Sequence, residues 1–115
     1  MLKPQALEEI GRAPLFAALG DPTRLLLVGK LSRGEPLSIS NLTHGFKVSR
    51  QAVTKHLRIL EDVGLVRSAR HGREILFEFC PEPVEDARRY LDEVSQQWGD
   101  ALGRLKAFVE SEAPK

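Results

Sequence analysis

The sequence predicts a mainly α-helical domain that carries one β-hairpin. Three observations predict it. Apolar residues recur at helical spacing along most of the chain, and one stretch near residues 65–80 alternates apolar and polar residues as strands do. The chain has 115 residues, of which 42% are hydrophobic, enough to form the core of one compact domain over residues 1–115. Because a domain this small buries a modest fraction of its surface, we also expect dimerisation to add stability.

The first two helices are predicted from their apolar spacing and their end signals. Residues 5–19 are helical, with Pro14 expected to kink the helix or to begin a second short one. Asp21 is suited to cap the next helix, because Pro22 follows it at the first helical position. That helix is predicted to run to Ser32. It is expected to bury Leu25, Leu26, Val28 and Leu31.

Two helices joined by a tight turn are predicted next, at about residues 40–63. A short extended piece at Leu37–Ile39 precedes them, and Ser40 is predicted to cap a short helix that ends near His44. Ser49 is suited to cap the second helix, which runs on without glycine or proline for more than three turns. This order of elements predicts a helix-turn-helix.

The second of these helices has two very different faces. The apolar side, which requires a core, consists of Ala52, Val53, Leu57, Ile59, Leu60 and Val63. The opposite side contains no acid, although an ordinary solvated helix mixes both signs of charge. Side chains of these types can donate to guanine, pair with an adenine edge or hold phosphates. The polar side consists of Arg50, Gln51, Thr54, Lys55 and Arg58.

A basic hairpin is predicted directly after this helix, at about residues 65–80. Leu65–Ala69 can pair with the alternating segment Ile75–Phe79, and Gly72 supplies the special backbone geometry of the turn between them. In this position a hairpin forms a wing, which can reach neighbouring phosphates or a minor groove. The residues predicted to do so are Arg70, His71 and Arg73.

Charge is distributed unevenly along the chain. Residues 47–73 hold seven basic and two acidic side chains, a balance of +5, whereas the net charge of the whole chain is +1. The remainder therefore carries −4. A basic segment within an acidic chain predicts a polyanionic partner.

A long helix is predicted at about residues 84–110. Its apolar residues, which begin at Ala87, alternate in steps of four and three, the spacing of a coiled-coil seam. We expect this helix to pair with its copy around a two-fold axis. The predicted dimer interface is formed by Leu91, Val94, Trp98, Ala101, Leu105 and Phe108.

Other functions find little in the sequence. No nucleophile with a matching base, Gly-rich phosphate loop or cysteine–histidine cluster is visible, so we expect no enzyme, no metal site and no cofactor. Cys80 is the one cysteine and is interpreted as a packing residue, and His56 as a partly buried residue with a satisfied ring. No signal peptide or membrane-length apolar stretch is visible, which predicts a cytoplasmic protein with no membrane partner.

The stretches FAALGDPTRLLLVGKL and VSRQAVTKHLRILEDVGLVRSARHGREILFEF resemble the ArsR/SmtB family of winged helix-turn-helix repressors. The likeness runs from about Leu15 to Phe79, and the long helix is similar to the dimerisation helix of that family. It implies a homodimer that binds a near-palindromic operator in double-stranded DNA and represses a nearby operon. It further implies that Arg50, Gln51, Thr54 and Lys55 face the major groove. The same likeness places Ser49 and Arg58 nearer the backbone, with Arg70, His71 and Arg73 on the wing.

The sequence departs from the metal-sensing members of that family. They carry a Cys-Val-Cys-type motif where this chain has LSISNLTHGF, and the terminal helix here has no histidine. The chain therefore resembles the metal-independent branch, with an inducer that the sequence does not name. Lys47 stands where the turn often has glycine, and Gly45 lies two residues earlier. An alternative function is a winged-helix module that binds protein or RNA; the acid-free helix face and the basic hairpin favour DNA.

Overall fold

The computed structural model describes residues 3–112, apart from the side chain of Gln5. They divide into two compact units, one up to Pro83 and one from Val84 onward. Mostly helical, with a small antiparallel sheet, this architecture confirms the predicted winged helix-turn-helix fold. The elements in chain order are α1 (Pro4–Leu19), α2 (Pro22–Leu31), β1 (Leu37–Ser38), α3 (Ile39–Thr43), α4 (Arg50–Asp62), β2 (Val66–His71), β3 (Glu74–Phe79) and α5 (Glu82–Glu112).

Helix α1 continues through Pro14 as one helix, so no second helix begins there. The first turn after the proline buries Leu15 and Ala18, and this packing holds the segment in place although Pro14 cannot donate a backbone hydrogen bond. Gly20 is the residue at which the helix ends.

Helix α2 begins at the predicted N-cap, since Asp21 Oδ2 accepts a hydrogen bond from the backbone N–H of Arg24 at 3.0 Å. Its buried residues are Leu27 and Leu31. The predicted burial of Leu25 and Leu26 is wrong, because 56% and 61% of their surfaces are exposed. A ten-residue helix offers the core one narrow stripe, and here Leu27 and Leu31, four residues apart, form it.

Helix α3 is capped by Ser38 and not, as predicted, by Ser40. The backbone N–H of Asn41 donates to Ser38 Oγ at 3.2 Å, and Asn41 Oδ1 accepts from the backbone N–H of Ser38 at 3.3 Å. This reciprocal capping box satisfies two backbone donors at once, which starts the helix at Ile39 and places Ser40 inside it.

The sheet has the strand order β1-β3-β2, and all neighbours are antiparallel. The hairpin β2–β3 extends further than predicted, to the pair His71 and Glu74, with Gly72 at φ +66° in the connecting turn. Strand β1 lies within the short extended piece predicted at Leu37–Ile39. Its pairing with β3, which places Leu37 opposite Phe77, was not predicted. Phe77, on β3, is buried, whereas Ile75, near the turn, is 49% exposed.

An apolar core is shared by the first two helices, the helix-turn-helix and the base of the hairpin. Each fully buried aliphatic side chain contributes about 1.5–3 kcal/mol relative to an exposed one. Because the apolar side of α4 is committed to this core, its polar side must face outward. The largest fully buried side chains are Leu27, Leu31, Leu42, Val53, Leu57, Leu60, Leu65 and Val66.

Helix α5 spans Glu82–Glu112, close to the predicted bounds. Ion pairs decorate its surface at helical spacing, among them Arg88 with Glu85 at 3.9 Å and Lys106 with Glu110 at 3.9 Å. Pairs this exposed contribute little to stability. Any larger contribution from the surface of α5 must therefore come from its apolar side chains.

Candidate nucleic-acid interface

Helix α4 begins as the sequence predicted. Ser49 Oγ accepts a hydrogen bond from the backbone N–H of Ala52 at 3.1 Å, which satisfies one of the free donors of the first helical turn. The turn before it contains Gly45 at φ +88°, a conformation that side-chain-bearing residues rarely adopt. The helix start is therefore exposed and regular.

The polar side of α4 lines an open groove of about 620 Å³. The structure brings together on it all five side chains that the sequence assigned to this face. Thr54 is half-buried and donates its hydroxyl proton to the carbonyl oxygen of Arg50 at 2.8 Å, so its oxygen can still accept from a ligand. The residues lining the groove are Ile39, Arg50, Gln51, Thr54, Lys55 and Arg58.

No acidic side chain is among the residues that line this groove in the part of the chain that the structure describes. The acids nearest in sequence, Glu61 and Asp62, lie in the last turn of α4. Glu61 accepts a hydrogen bond from Ser68 Oγ at 2.7 Å and so connects the end of α4 to the hairpin. The groove therefore presents cations, an amide and a hydroxyl to any polyanion placed against it.

On the wing, one arginine is paired with an acidic side chain, and three further basic side chains are exposed. Arg67 Nε donates to Glu78 Oε1 at 2.9 Å, and this hydrogen bond raises the pKa of the Arg67 guanidinium. Arg70, His71 and Arg73 are exposed, and Arg70 Nε donates to the carbonyl oxygen of Gly72 at 3.4 Å. The sequence placed Arg70 and His71 in the turn; they lie at the end of β2, because the strand pairing continues to His71.

His56 confirms the interpretation of a satisfied, partly buried ring. Its side chain is 23% exposed, and Nδ1 lies 3.1 Å from Nη1 of Arg24 on α2. The partner was missed in the sequence, because the two residues are 32 positions apart and neither pattern indicates the other.

The seam on α5 keeps its apolar residues at the surface of this chain. Trp98 is 64% exposed and Phe108 63%, while Val94 and Ala101 are half-buried. Val94, Gln97, Trp98 and Ala101 line a shallow depression on the helix. Large exposed apolar side chains at regular spacing are typical of a surface that another protein covers.

Within residues 3–112, no helix is both long and apolar enough to cross a bilayer. The same residues contain no group of three or more histidine, cysteine or acidic side chains placed to hold a metal ion. Cys80 is a half-buried free thiol whose backbone N–H donates to the carbonyl oxygen of Leu65 at 2.8 Å.

A helix-turn-helix with an acid-free outer face, followed by a basic hairpin, defines a winged-helix DNA-binding protein. A family model described as a helix-turn-helix domain matches residues 19–69. The chain belongs to the ArsR/SmtB family of DNA-binding transcriptional regulators. The family membership that the sequence motifs predicted is thereby confirmed.

The relatives that show this membership are similar over most of the fold. An uncharacterized HTH-type transcriptional regulator, YuzN, of Bacillus subtilis is 40% identical over 78 residues, which cover 63% of this chain and 85% of that protein. A transcriptional repressor SmtB homolog of Synechocystis is 36% identical over 74% of this chain, which spans 64% of that relative. The solved structure of an ArsR-like transcriptional regulator from Rhodococcus is 34% identical, with a TM-score of 0.84 over 94% of this chain and 98% of that one.

Proposed function

We propose that this chain is a repressor that binds a near-palindromic operator as a homodimer and controls a nearby operon. The observation that carries the proposal is the groove along α4, where five side chains able to bind DNA meet without an acid. The name of the Synechocystis relative, a transcriptional repressor, supports repression. A dimer bound across a promoter would exclude the transcription machinery.

Direct reading of bases is assigned to the N-terminal half of α4. Arg50 and Lys55 are exposed and can donate to guanine O6 and N7, and the amide of Gln51 can pair with adenine N6 and N7. Thr54 can accept from a base amine through its remaining lone pairs. Ser49 and Arg58, at the two ends of this set, are assigned to the phosphate backbone.

Phosphate contacts beside the major groove are assigned to the wing. Arg70, His71 and Arg73 are exposed where β2 and β3 meet. Arg67 is not included, because Glu78 neutralises it. Each neutralised phosphate releases counterions, so operator affinity should fall steeply as salt rises.

Dimerisation is assigned to α5. Leu91 is 51% exposed and Leu105 is 58% exposed, and both lie on the seam with Val94, Trp98, Ala101 and Phe108. A second copy of this helix would cover them. The two recognition helices would then lie about one DNA turn apart, roughly 34 Å, and read the two halves of the operator. Helix-turn-helix, wing and dimerisation helix would thus act as one functional domain.

Induction is proposed to act on the dimer. A signal that changes the angle between the two winged units shifts the population towards dimers that cannot bind both half-sites. The absence of cysteine from LSISNLTHGF and of histidine from the terminal helix supports a signal other than a metal bound at those positions.

The experiment that tests the proposed function is selection of bound sequences from a random duplex pool. The recovered duplex is then titrated at two salt concentrations by fluorescence anisotropy, with a scrambled duplex as control. We expect a near-palindrome that is bound more tightly than the scrambled duplex, with both affinities falling as salt rises. Recovery of no motif would contradict the proposal and favour the alternative of a protein- or RNA-binding module.

A further inference from the structure

The turn between α3 and α4 has little internal rigidity. Gly45, in this turn, adopts φ +88°, and it has no side chain of its own to restrict its backbone. The backbone N–H of Phe46 donates to the carbonyl oxygen of Thr43 at 3.0 Å, and that of His44 donates to the carbonyl oxygen of Ser40 at 3.2 Å. These two short-range bonds leave the carbonyl oxygens of Leu42 and His44 without a donor from the turn itself.

Lys30, from α2, supplies the missing donors. Its Nζ donates to the carbonyl oxygen of His44 at 2.7 Å and lies 3.4 Å from that of Leu42. The same ammonium lies 4.6 Å from the centre of the Phe46 ring. One cation therefore holds the turn on both sides of Gly45, through two carbonyl oxygens and one aromatic face.

We propose that Lys30 is a positioning residue for DNA recognition. Helices α3 and α4 are connected by this turn, so a turn fixed against α2 fixes the direction in which α4 leaves it. A recognition helix displaced by about 1 Å gives up bidentate hydrogen bonds to bases before it gives up the looser ones to phosphates. The inference rests on the proposed function, because it assigns to Lys30 a share of the specificity of α4.

The surroundings of the ammonium separate this role from that of a phosphate ligand. Lys30 is half-buried, and its charge is already directed at two carbonyl oxygens and a ring. A lysine that holds a phosphate would contribute about 0.9 to the slope of log affinity against log salt. A lysine that holds the turn contributes nothing to that slope.

The test compares Lys30→Met with Lys30→Arg and the wild-type chain. Methionine keeps an unbranched stem and removes the charge, whereas arginine can donate to the same carbonyl oxygens and stack on the ring. For Lys30→Met we expect about ten-fold weaker binding to the selected duplex, with unchanged binding to a scrambled duplex and an unchanged salt slope. We expect Lys30→Arg to restore most of the affinity. In Lys30→Met, the amide hydrogen of Phe46 should exchange faster.

Arg33→Met serves as the matched control. Lys30 and Arg33 both line one depression between α2 and the turn, and the replacement of Arg33 also removes one charge. Titrations are made at a temperature at which circular dichroism shows every variant to be folded. Operator affinity unchanged in Lys30→Met, or an equal weakening on both duplexes with a smaller salt slope, would overturn the inference. If the wild-type chain does not distinguish the two duplexes, the proposed function fails by itself. Unchanged exchange of the Phe46 amide would then overturn the positioning role as well.

Discussion

The guanidinium of Arg24 joins three helices through one side chain. Its Nη1 lies 3.1 Å from His56 Nδ1 on α4, and its Nε donates to the carbonyl oxygen of Ala18, near the end of α1, at 2.7 Å. A guanidinium has no acceptor, so His56 accepts at Nδ1 and carries its proton on Nε2. The Asp-Pro-Thr-Arg segment thus caps α2 through Asp21 and also supports α4 through the contact of Arg24 with His56.

Removing the contact between Arg24 and His56 should destabilise the fold. We expect Arg24→Met and His56→Leu each to lower the free energy of unfolding by about 1–2 kcal/mol, since each leaves half-buried polar groups without a partner. Because the two side chains touch each other, the double variant should be less destabilised than the sum of the two single variants. Urea denaturation measures all four proteins. Arg88→Met, at an exposed ion pair, should stay within about 0.5 kcal/mol of wild type. Fully additive effects would refute the interaction.

Stability should depend on pH through Asp21. The backbone N–H of Arg24 is the largest of the causes that lower the pKa of the Asp21 carboxyl, and the charge of Arg24 lowers it further. A group whose pKa is lower in the folded state stabilises the fold above its unfolded pKa, about 3.9, and loses this effect as pH falls through the folded value. We therefore expect Asp21→Ala to lower the Tm at pH 7 and to differ less from wild type near pH 3.

Asp21→Asn is the matched control, because asparagine caps helices about as well as aspartate and does not titrate. Its Tm should change less than that of the wild-type chain between pH 7 and pH 3. A constant difference between Asp21→Ala and wild type across this range would show that the carboxylate charge is not what stabilises the start of α2.

Specific recognition should depend on two side chains in the middle of the α4 groove. We expect Gln51→Ala together with Lys55→Ala to abolish discrimination between the operator and a scrambled duplex, because each base that is no longer hydrogen-bonded costs about 1–3 kcal/mol. Both residues are exposed, so the Tm and the oligomeric state should be unchanged. Anisotropy titration on both duplexes is the measurement. Retained discrimination would remove this helix from the recognition role.

The wing offers an internal control for charge. We expect Arg70→Gln together with Arg73→Gln to reduce the slope of log affinity against log salt by about 0.9 for each phosphate that the wing no longer neutralises. Arg67→Gln removes the same charge from the same hairpin, but its partner Glu78 already neutralises it. The Arg67 variant should therefore keep the wild-type slope. Equal slopes for all three proteins would place the wing away from DNA.

The seam on α5 should control the oligomeric state. We expect Leu91→Glu together with Leu105→Glu to produce monomers, because the charges would be buried at the proposed interface. More than half of each leucine surface is exposed in this chain, so the helical circular dichroism of a single chain should persist. Light scattering gives the mass. Glu93→Gln together with Glu110→Gln changes two exposed residues of the same helix and should leave the measured mass unaltered. A dimer unchanged by the leucine substitutions would contradict the interface.

Local chemistry made much of the architecture predictable. Asp21 and Ser49 correctly predicted the starts of α2 and α4, because a capping side chain bonds to backbone two or three residues away. Gly72 predicted the turn between β2 and β3 for a similar reason, since a positive φ is a property of one residue. The cap of α3 was misplaced because Ser38 and Ser40 offer the same hydroxyl, and the Asn41 side chain selects between them.

The sequence by itself determined the class of protein and the polar face of α4, because helical periodicity divides cations from apolar residues without reference to anything distant. Tertiary structure alone decided that Leu27 and not Leu25 enters the core, that Leu37 pairs with Phe77, and that Arg24 meets His56. These outcomes depend on which surfaces meet across long stretches of chain. Periodicity within one helix or strand cannot encode such meetings, because the partner is chosen by packing and by the need of each buried polar group for a hydrogen bond.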